Sequence, residues 1–195
     1  MRNDKKDLRS RYTREIIMKS MLCLLAEKPL KSVTVAELCK HAQVTRGTFY
    51  NHFYDVYDVY ESIENKFFEE IVRRLEARTT FELDIEFFRE ILRFLSENSD
   101  AMKTLLSDGE ESSILKKIIR AVRDKYVTEL SERFPESDRH FLDSLYTYSV
   151  NGSLALLVEW LRNDERESPE QMATLIEVFN RVVMTDALKR PPAVR

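Results

Sequence analysis

Three glycines and five prolines in 195 residues leave this chain few places to turn. Sheet proteins of this length need many tight turns built on Gly, Pro, Asn and Asp, so the shortage favours a small number of long helices. Apolar residues make up 43% and charged residues 33%, which suits a globular chain and is too apolar for disorder. The expected class is all-α, with room for a small domain fused to a medium one. The longest apolar cluster, Met21 to Ala26, is far too short to span a bilayer, and the first ten residues, MRNDKKDLRS, lack an apolar core. No membrane partner is expected, and the location is read as cytoplasmic. Cys23 and Cys39 stand 16 positions apart, with neither a CxxC nor clustered histidines. They are therefore read as reduced thiols acting as small buried hydrophobes, not as a zinc site or a disulfide.

The net charge of −3 hides an uneven distribution. Residues 1–54 hold eleven lysines and arginines against five acids, a net +6, which leaves −9 for the remainder. A basic head on an acidic body points to a polyanion at one end only.

The first ten residues read as a basic arm. Ile16, Ile17, Ser20, Met21 and Leu24 then repeat at helical spacing between Tyr12 and Ala26, and Pro29 stops that helix. Thr34 has the place of an N-cap, with Glu37 completing a capping box, and a second helix runs to about His41 with Val35, Leu38 and Cys39 inward. After a brief turn at Gln43 and Val44, Thr45 caps a short third helix from Arg46 to about Asn51. Helix four is long, Asp55 to Arg78, with Val59, Ile63, Phe67, Ile71 and Leu75 at four-residue steps, and Thr79 and Thr80 break it. Later helices are expected over Ile85–Ser96, Asp100–Leu106, Ser112–Arg133, Ser137–Arg162 and Ser168–Leu188, with Gly109 in an acidic loop. The domains are expected at 1–54 and 55–195.

The stretch TVAELCKHAQVTRGTFYNHF, Thr34 to Phe53, carries the functional information. A capped helix, a sharp turn and a second short helix with an open N-terminal end form a helix-turn-helix, whose second helix enters the major groove. Gly47 clears space for close approach to a DNA backbone or a partner helix. Thr45, Arg46 and Thr48 supply donors and acceptors, and an arginine pairs well with a guanine edge or a phosphate. Tyr50, Asn51 and His52 carry polar tips suited to phosphate. Phe49 and Phe53 are core.

This block closely resembles the DNA-binding domain of the tetracycline-repressor (TetR) family. Thr34, Val35, Ala42, Val44, Thr45, Gly47, Thr48, Phe49, Tyr50, His52 and Phe53 stand at matching positions, and the resemblance runs over residues 12–75 or so. It implies an N-terminal three-helix helix-turn-helix DNA-binding domain plus a helical C-terminal ligand and dimerisation domain. It also implies a body that dimerises and often holds a ligand. The expected function is a regulator, repressor or activator since both use the same head, that binds a palindromic operator as a homodimer and is released by a small apolar effector. Carried over, Thr34, Thr45, Arg46, Gly47, Thr48, Tyr50, Asn51 and His52 become the DNA-binding set. Two departures stand out. Val56 occupies a position where the family commonly has a phosphate-binding lysine, leaving Tyr54 or Tyr57 as substitutes, and Gln43 replaces a glycine, which makes a left-handed turn costlier.

In the body, Tyr146 to Leu161 is apolar on more than one face. Gly152, Leu156 and Trp160 there, with Phe179 and Val183 on the last helix, are the candidate dimer interface. Phe67, Phe88, Met102, Leu105 and Tyr126, with Phe81, Phe87 and Phe94 beside them, either line an apolar ligand pocket or form ordinary core. No polar constellation names an effector. The chain lacks a Gly-rich phosphate loop, a metal-spaced cluster and a convincing Ser/His/Asp set, so neither catalysis, cofactor nor metal is expected. The rival reading is a helical protein–protein adaptor or coactivator that keeps the helix-turn-helix head.

Overall fold

The computed structural model describes residues 2–76, 85–106, 113–163 and 166–189. The sequence expectations at Thr79, Thr80, Phe81 and Gly109 lie outside these residues. Within them the chain is helical and contains no strand. By internal contacts it divides into two compact units, residues 1–67 and 68–195, and the division falls inside the fourth helix.

In the first unit α1 spans Arg2–Glu27. Residues 2–10 are therefore the start of this helix and not a separate arm, since nothing in DKKDLRS breaks a helix. Ile17, Met21 and Leu24 are buried on one side of α1, together with Ser20. Cys23 is exposed, a correction to its expected burial, because a face running through positions 17, 21 and 24 leaves 23 off the stripe. Pro29 ends the segment in extended conformation, and a single 3-10 turn, Leu30–Ser32, leads to α2, Val35–Ala42. α3 is only five residues, Arg46–Tyr50, and α4 spans Val56–Glu76. Leu38, Phe49, Phe53, Val59 and Ile63 close the core of this unit, with Phe49 and Val59 fully buried.

The second unit holds α5 (Ile85–Glu97), α6 (Ser99–Leu105), α7 (Ser113–Arg133), α8 (Arg139–Arg162) and α9 (Pro169–Lys189). α5 packs on α9, α7 on α8, α8 on α9 and α6 on α8. Caps set the starts of the last two helices. The Asp138 carboxylate accepts from the Phe141 amide at 3.0 Å. Ser168 and Gln171 exchange backbone-to-side-chain bonds as a capping box, with Pro169 in the first helical position where its missing N–H costs nothing. The Tyr146 hydroxyl donates to the Ile119 carbonyl at 2.7 Å, and the Trp160 indole donates to the Glu167 carbonyl at 2.9 Å. Trp160 is only 2% exposed. It is therefore a core residue of the protomer and not part of a surface, a correction to its place in the expected dimer interface.

Arg74 on α4 clamps α5. Its guanidinium lies 4.3 Å from the centre of the Phe94 ring and 3.7 Å from the Glu90 carboxylate, and it also bonds Glu70 one turn earlier. Hydrogen bonds from Arg73 and Arg74 hold the Glu70 carboxyl down at about 2, from an ordinary value of 4.5. A carboxylate whose folded value is depressed stabilises the fold above its unfolded value and loses that contribution as the pH falls through the folded one. Because the group is only partly shielded, the expected size is that of a surface pair, about 0.2–1 kcal/mol. Glu70→Gln should thus lower the melting temperature slightly at neutral pH. It should also flatten the loss of stability as pH drops from about 4.5 toward about 2, read by thermal denaturation across that window.

Candidate nucleic-acid interface and interior cavity

Thr34 caps α2: its hydroxyl accepts from the Glu37 amide at 3.3 Å. The Glu37 carboxyl is shifted downward, first by its hydrogen bond to Lys28, which ties the foot of α1 to the start of α2, and further by the Thr34 amide. The turn after α2 requires one residue in the left-handed region. Gln43 takes it, at φ 55° and ψ 39°, and is the one non-glycine residue with positive φ among the described residues. A side chain there costs on the order of 1 kcal/mol relative to glycine.

Thr45 then caps α3. Its hydroxyl accepts from the Thr48 amide at 3.1 Å and shares a 2.9 Å hydrogen bond with the Thr48 hydroxyl. Phe49 is fully buried, its ring edge-on to Tyr50 with centroids 5.3 Å apart. With Phe49 inward, Thr45, Arg46, Gly47, Tyr50 and Asn51 are exposed, and Thr48 and His52 are half-buried. The α3 candidates thus share the outer side of one turn-and-helix, with Thr34 exposed at the start of α2. A Cβ added at Gly47 would meet nothing nearer than the Thr45 hydroxyl at 3.8 Å, so no packing within the chain demands glycine there.

Arg14 escaped the sequence reading. From α1 its guanidinium donates to the His52 carbonyl at 3.0 Å and to the Ser62 hydroxyl at 2.7 Å, and lies 4.3 Å from the centre of the Phe53 ring. It fixes the end of α3 and the first half of α4 against α1, across 38 and 48 residues of chain. Its only sequence signal is an arginine beside an apolar stripe, which is also how a solvated charge looks. Val56 is buried, whereas Tyr54 is 84% exposed and Tyr57 55% exposed at the start of α4.

In the second unit a cavity of about 100 Å³ lies between α5, α7 and α8, with Ile71 of α4, Met102 of α6 and Leu106 also on its wall. Phe88, Met102 and Tyr126 line it; Phe67 and Leu105 do not. Phe67 belongs to the first unit, and Leu105 is buried without lining the cavity. These two placements correct the expected pocket. Of the interface candidates, Gly152 and Phe179 are exposed and Leu156 and Val183 half-buried. No added Cβ contact exists within 4 Å of Gly152.

The sequence of residues 17–61 matches the bacterial regulatory proteins of the TetR family, and residues 85–181 match a transcriptional regulator C-terminal region of the same family. The chain belongs to the TetR family of transcriptional regulators. Solved structures agree in fold. A TetR transcriptional regulator from Streptococcus agalactiae superposes with a TM-score of 0.65 at 20% identity, covering 91% of this chain and 98% of that one. A TetR-family regulator from Syntrophomonas wolfei gives 0.64 at 18% identity, covering 95% and 99%. The fatty acid degradation regulator FadR from Bacillus halodurans gives 0.57 at 17% identity, covering 94% and 97%. No curated protein sequence matches the chain. TetR regulators are DNA-binding transcription factors and not enzymes. No described helix is long and apolar enough to cross a membrane.

If glycine at 47 serves something outside the chain, Gly47→Ala should leave stability unchanged or raise it by up to about 1 kcal/mol, because alanine is the better helix former. Thr45→Ala removes the α3 cap and should cost about 1 kcal/mol. Chemical denaturation of both variants checks the contrast, and a destabilised Gly47→Ala would assign that glycine to packing.

Proposed function

We propose that this TetR-family regulator is a repressor that binds a palindromic operator as a homodimer and releases it when a small apolar effector enters the body. The observation that carries this reading is the outer side of α3. Arg46, Tyr50 and Asn51 are exposed there beside a Gly47 whose added Cβ would meet only the Thr45 hydroxyl, at 3.8 Å, among the described residues. Placed in a major groove, Arg46 reaches a guanine edge or a phosphate, with Thr45, Thr48 and Asn51 as further base or backbone contacts. Thr34, Tyr50 and His52 meet phosphate, and the exposed hydroxyls of Tyr54 and Tyr57 stand in for the cation that buried Val56 does not supply. The +6 charge of residues 1–54 favours the same end of the chain. On this reading residues 1–54 are the DNA-binding domain, 55–195 the effector and dimerisation domain, and the protein works in the cytoplasm.

The dimer reading rests on α8 and α9, which pack on each other yet leave apolar stripes outside. Tyr148, Gly152 and Ala155 are exposed on α8, and Leu175, Phe179 and Val182 on α9, each set at helical spacing. Together with Leu156 and Val183 they form a surface suited to a second copy, and a two-fold axis would set the recognition helices about one DNA turn apart.

Selection of bound genomic fragments by the purified protein, at low and moderate salt, tests the reading. One palindrome should be enriched, with affinity falling steeply as salt rises. Arg46→Ala should weaken binding to it by about 1–3 kcal/mol and relax sequence preference at one position. Tyr50→Phe should weaken it with little change in preference. Unchanged affinity in both would remove α3 from the interface. Separately, Gly152→Asp or Leu156→Glu should turn a sedimenting dimer into monomers, and a dimer that survives both would lie elsewhere.

A further inference from the structure

Between α8 and α9 the protomer buries polar groups where apolar ones would serve its own stability as well. Ser149, Ser153 and Asn180 are all buried at that seam. The Ser153 hydroxyl donates to the Ser149 carbonyl at 2.7 Å and accepts from the Asn180 amide at 2.9 Å. The same amide donates to the Ile176 carbonyl at 3.1 Å. A carbonyl only accepts, so the nitrogen of Asn180 takes the inner position and its side-chain oxygen the outer one. That oxygen makes no hydrogen bond among the described residues and keeps some exposure. It belongs to the residue after exposed Phe179, one turn before Val183.

α8 carries the complement. From Tyr146 to Leu156, five polar side chains have partners inside the chain. Tyr146 bonds the Ile119 carbonyl, Thr147 the Asp143 carbonyl, Ser149 the Met184 sulfur, Asn151 the Thr147 carbonyl and Ser153 the Ser149 carbonyl. Tyr148 is the exception: it is 68% exposed, and its hydroxyl makes no hydrogen bond among the described residues. An unused donor and an unused acceptor thus share the face assigned above to a second copy. Covering either without a partner costs more than a made bond gains. A two-fold axis brings one residue of each copy to a second residue of the other, so a single pairing is made twice. We propose that Tyr148 and Asn180 are the polar key of the dimer, the Tyr148 hydroxyl of each copy donating to the side-chain oxygen of the partner's Asn180. The inference rests on the homodimer reading and adds what fixes its geometry. Apolar stripes tolerate sliding and rotation, whereas a buried hydrogen-bonded asparagine admits one register and one partner number, as it does in coiled coils. The key also tells a copy of this chain from a similar helical pair that lacks either group.

A double-mutant cycle on the full-length protein tests the key, with dimer dissociation read by analytical ultracentrifugation over a dilution series. Tyr148→Phe and Asn180→Ala should each weaken the dimer by about tenfold or more, because each leaves a covered group without its partner. The double variant should be no weaker than the weaker single one, since neither orphan then remains. Within one chain the two side chains share no hydrogen bond, so this coupling arises across the interface. A role confined to the protomer predicts the opposite: no effect of Tyr148→Phe, and effects that add. Should Asn180→Ala fail to fold, a crystal structure of the unaltered dimer gives the equivalent reading, with the two groups expected within hydrogen-bond distance across the two-fold axis. Additive losses, a dimer indifferent to Tyr148→Phe, or the two groups apart in the crystal would overturn the proposal. An unaltered protein that sediments only as a monomer removes the dimer reading and the key together. A dimer split by Gly152→Asp yet unchanged by Tyr148→Phe removes the key alone.

Discussion

A helix of five residues cannot sustain itself in water, since it closes too few hydrogen bonds to repay its nucleation. Everything that α3 offers to a partner therefore depends on the burial of Phe49, which is fully enclosed in the first unit. Phe49 sets the rotation of α3: once it points inward, a 100° step per residue turns Gly47 and Tyr50 away from it, and Arg46 is exposed at the open first turn. The neighbouring devices all serve that one side chain. Thr45 caps the helix so that it starts at Arg46, Gln43 accepts a left-handed conformation so that the chain can reverse sharply enough, and Arg14 holds the far end through the His52 carbonyl. The strain at Gln43 is tolerated because the adjacent helices are docked through Leu38, Ala42 and Phe49, all buried.

The second unit solves a different problem. Its helices are long and amphipathic, so each is stabilised mainly by the neighbour it packs on. Polar links at their ends and crossings fix how they meet: Trp160 to the Glu167 carbonyl, Tyr146 to the Ile119 carbonyl, Arg123 to Asp143 at 3.0 Å, and Arg93 to Glu170 at 2.9 Å. Between these links the packing of α5, α7 and α8 leaves a void that no wall residue fills. Close-packed interiors seldom keep such space without a cost in lost contacts.

Much of the first unit was legible in the residues. A threonine three positions before a glutamate announced α2, a second threonine, Thr45, announced α3, and Pro29 ended α1, because caps and breakers act within one turn of the backbone and need no distant partner. The inward Leu38 followed from helical period, and Phe49 and Phe53 from their match to core positions of the family motif. Arg14 was not legible, since its three partners lie 38 to 48 residues away and nothing in its own neighbourhood distinguishes a clamp from a solvated charge. Cys23 was misplaced for a related reason: the periodic stripe of α1 is broad, and only the position of α2 decides where its edge falls.

By itself, then, the sequence determined the helical class, the order and approximate ends of the helices, and the residues of the helix-turn-helix, all of which depend on backbone hydrogen bonding and side-chain period over a few turns. Only the tertiary structure decided which faces of the later helices meet. It sent Trp160 inward and left Phe179 outside, put Phe88, Met102 and Tyr126 around one void, and buried Leu105 without placing it on that wall. Helical phase states which residues share a face, but the face that is buried, and against what, is set by how several helices fill space together.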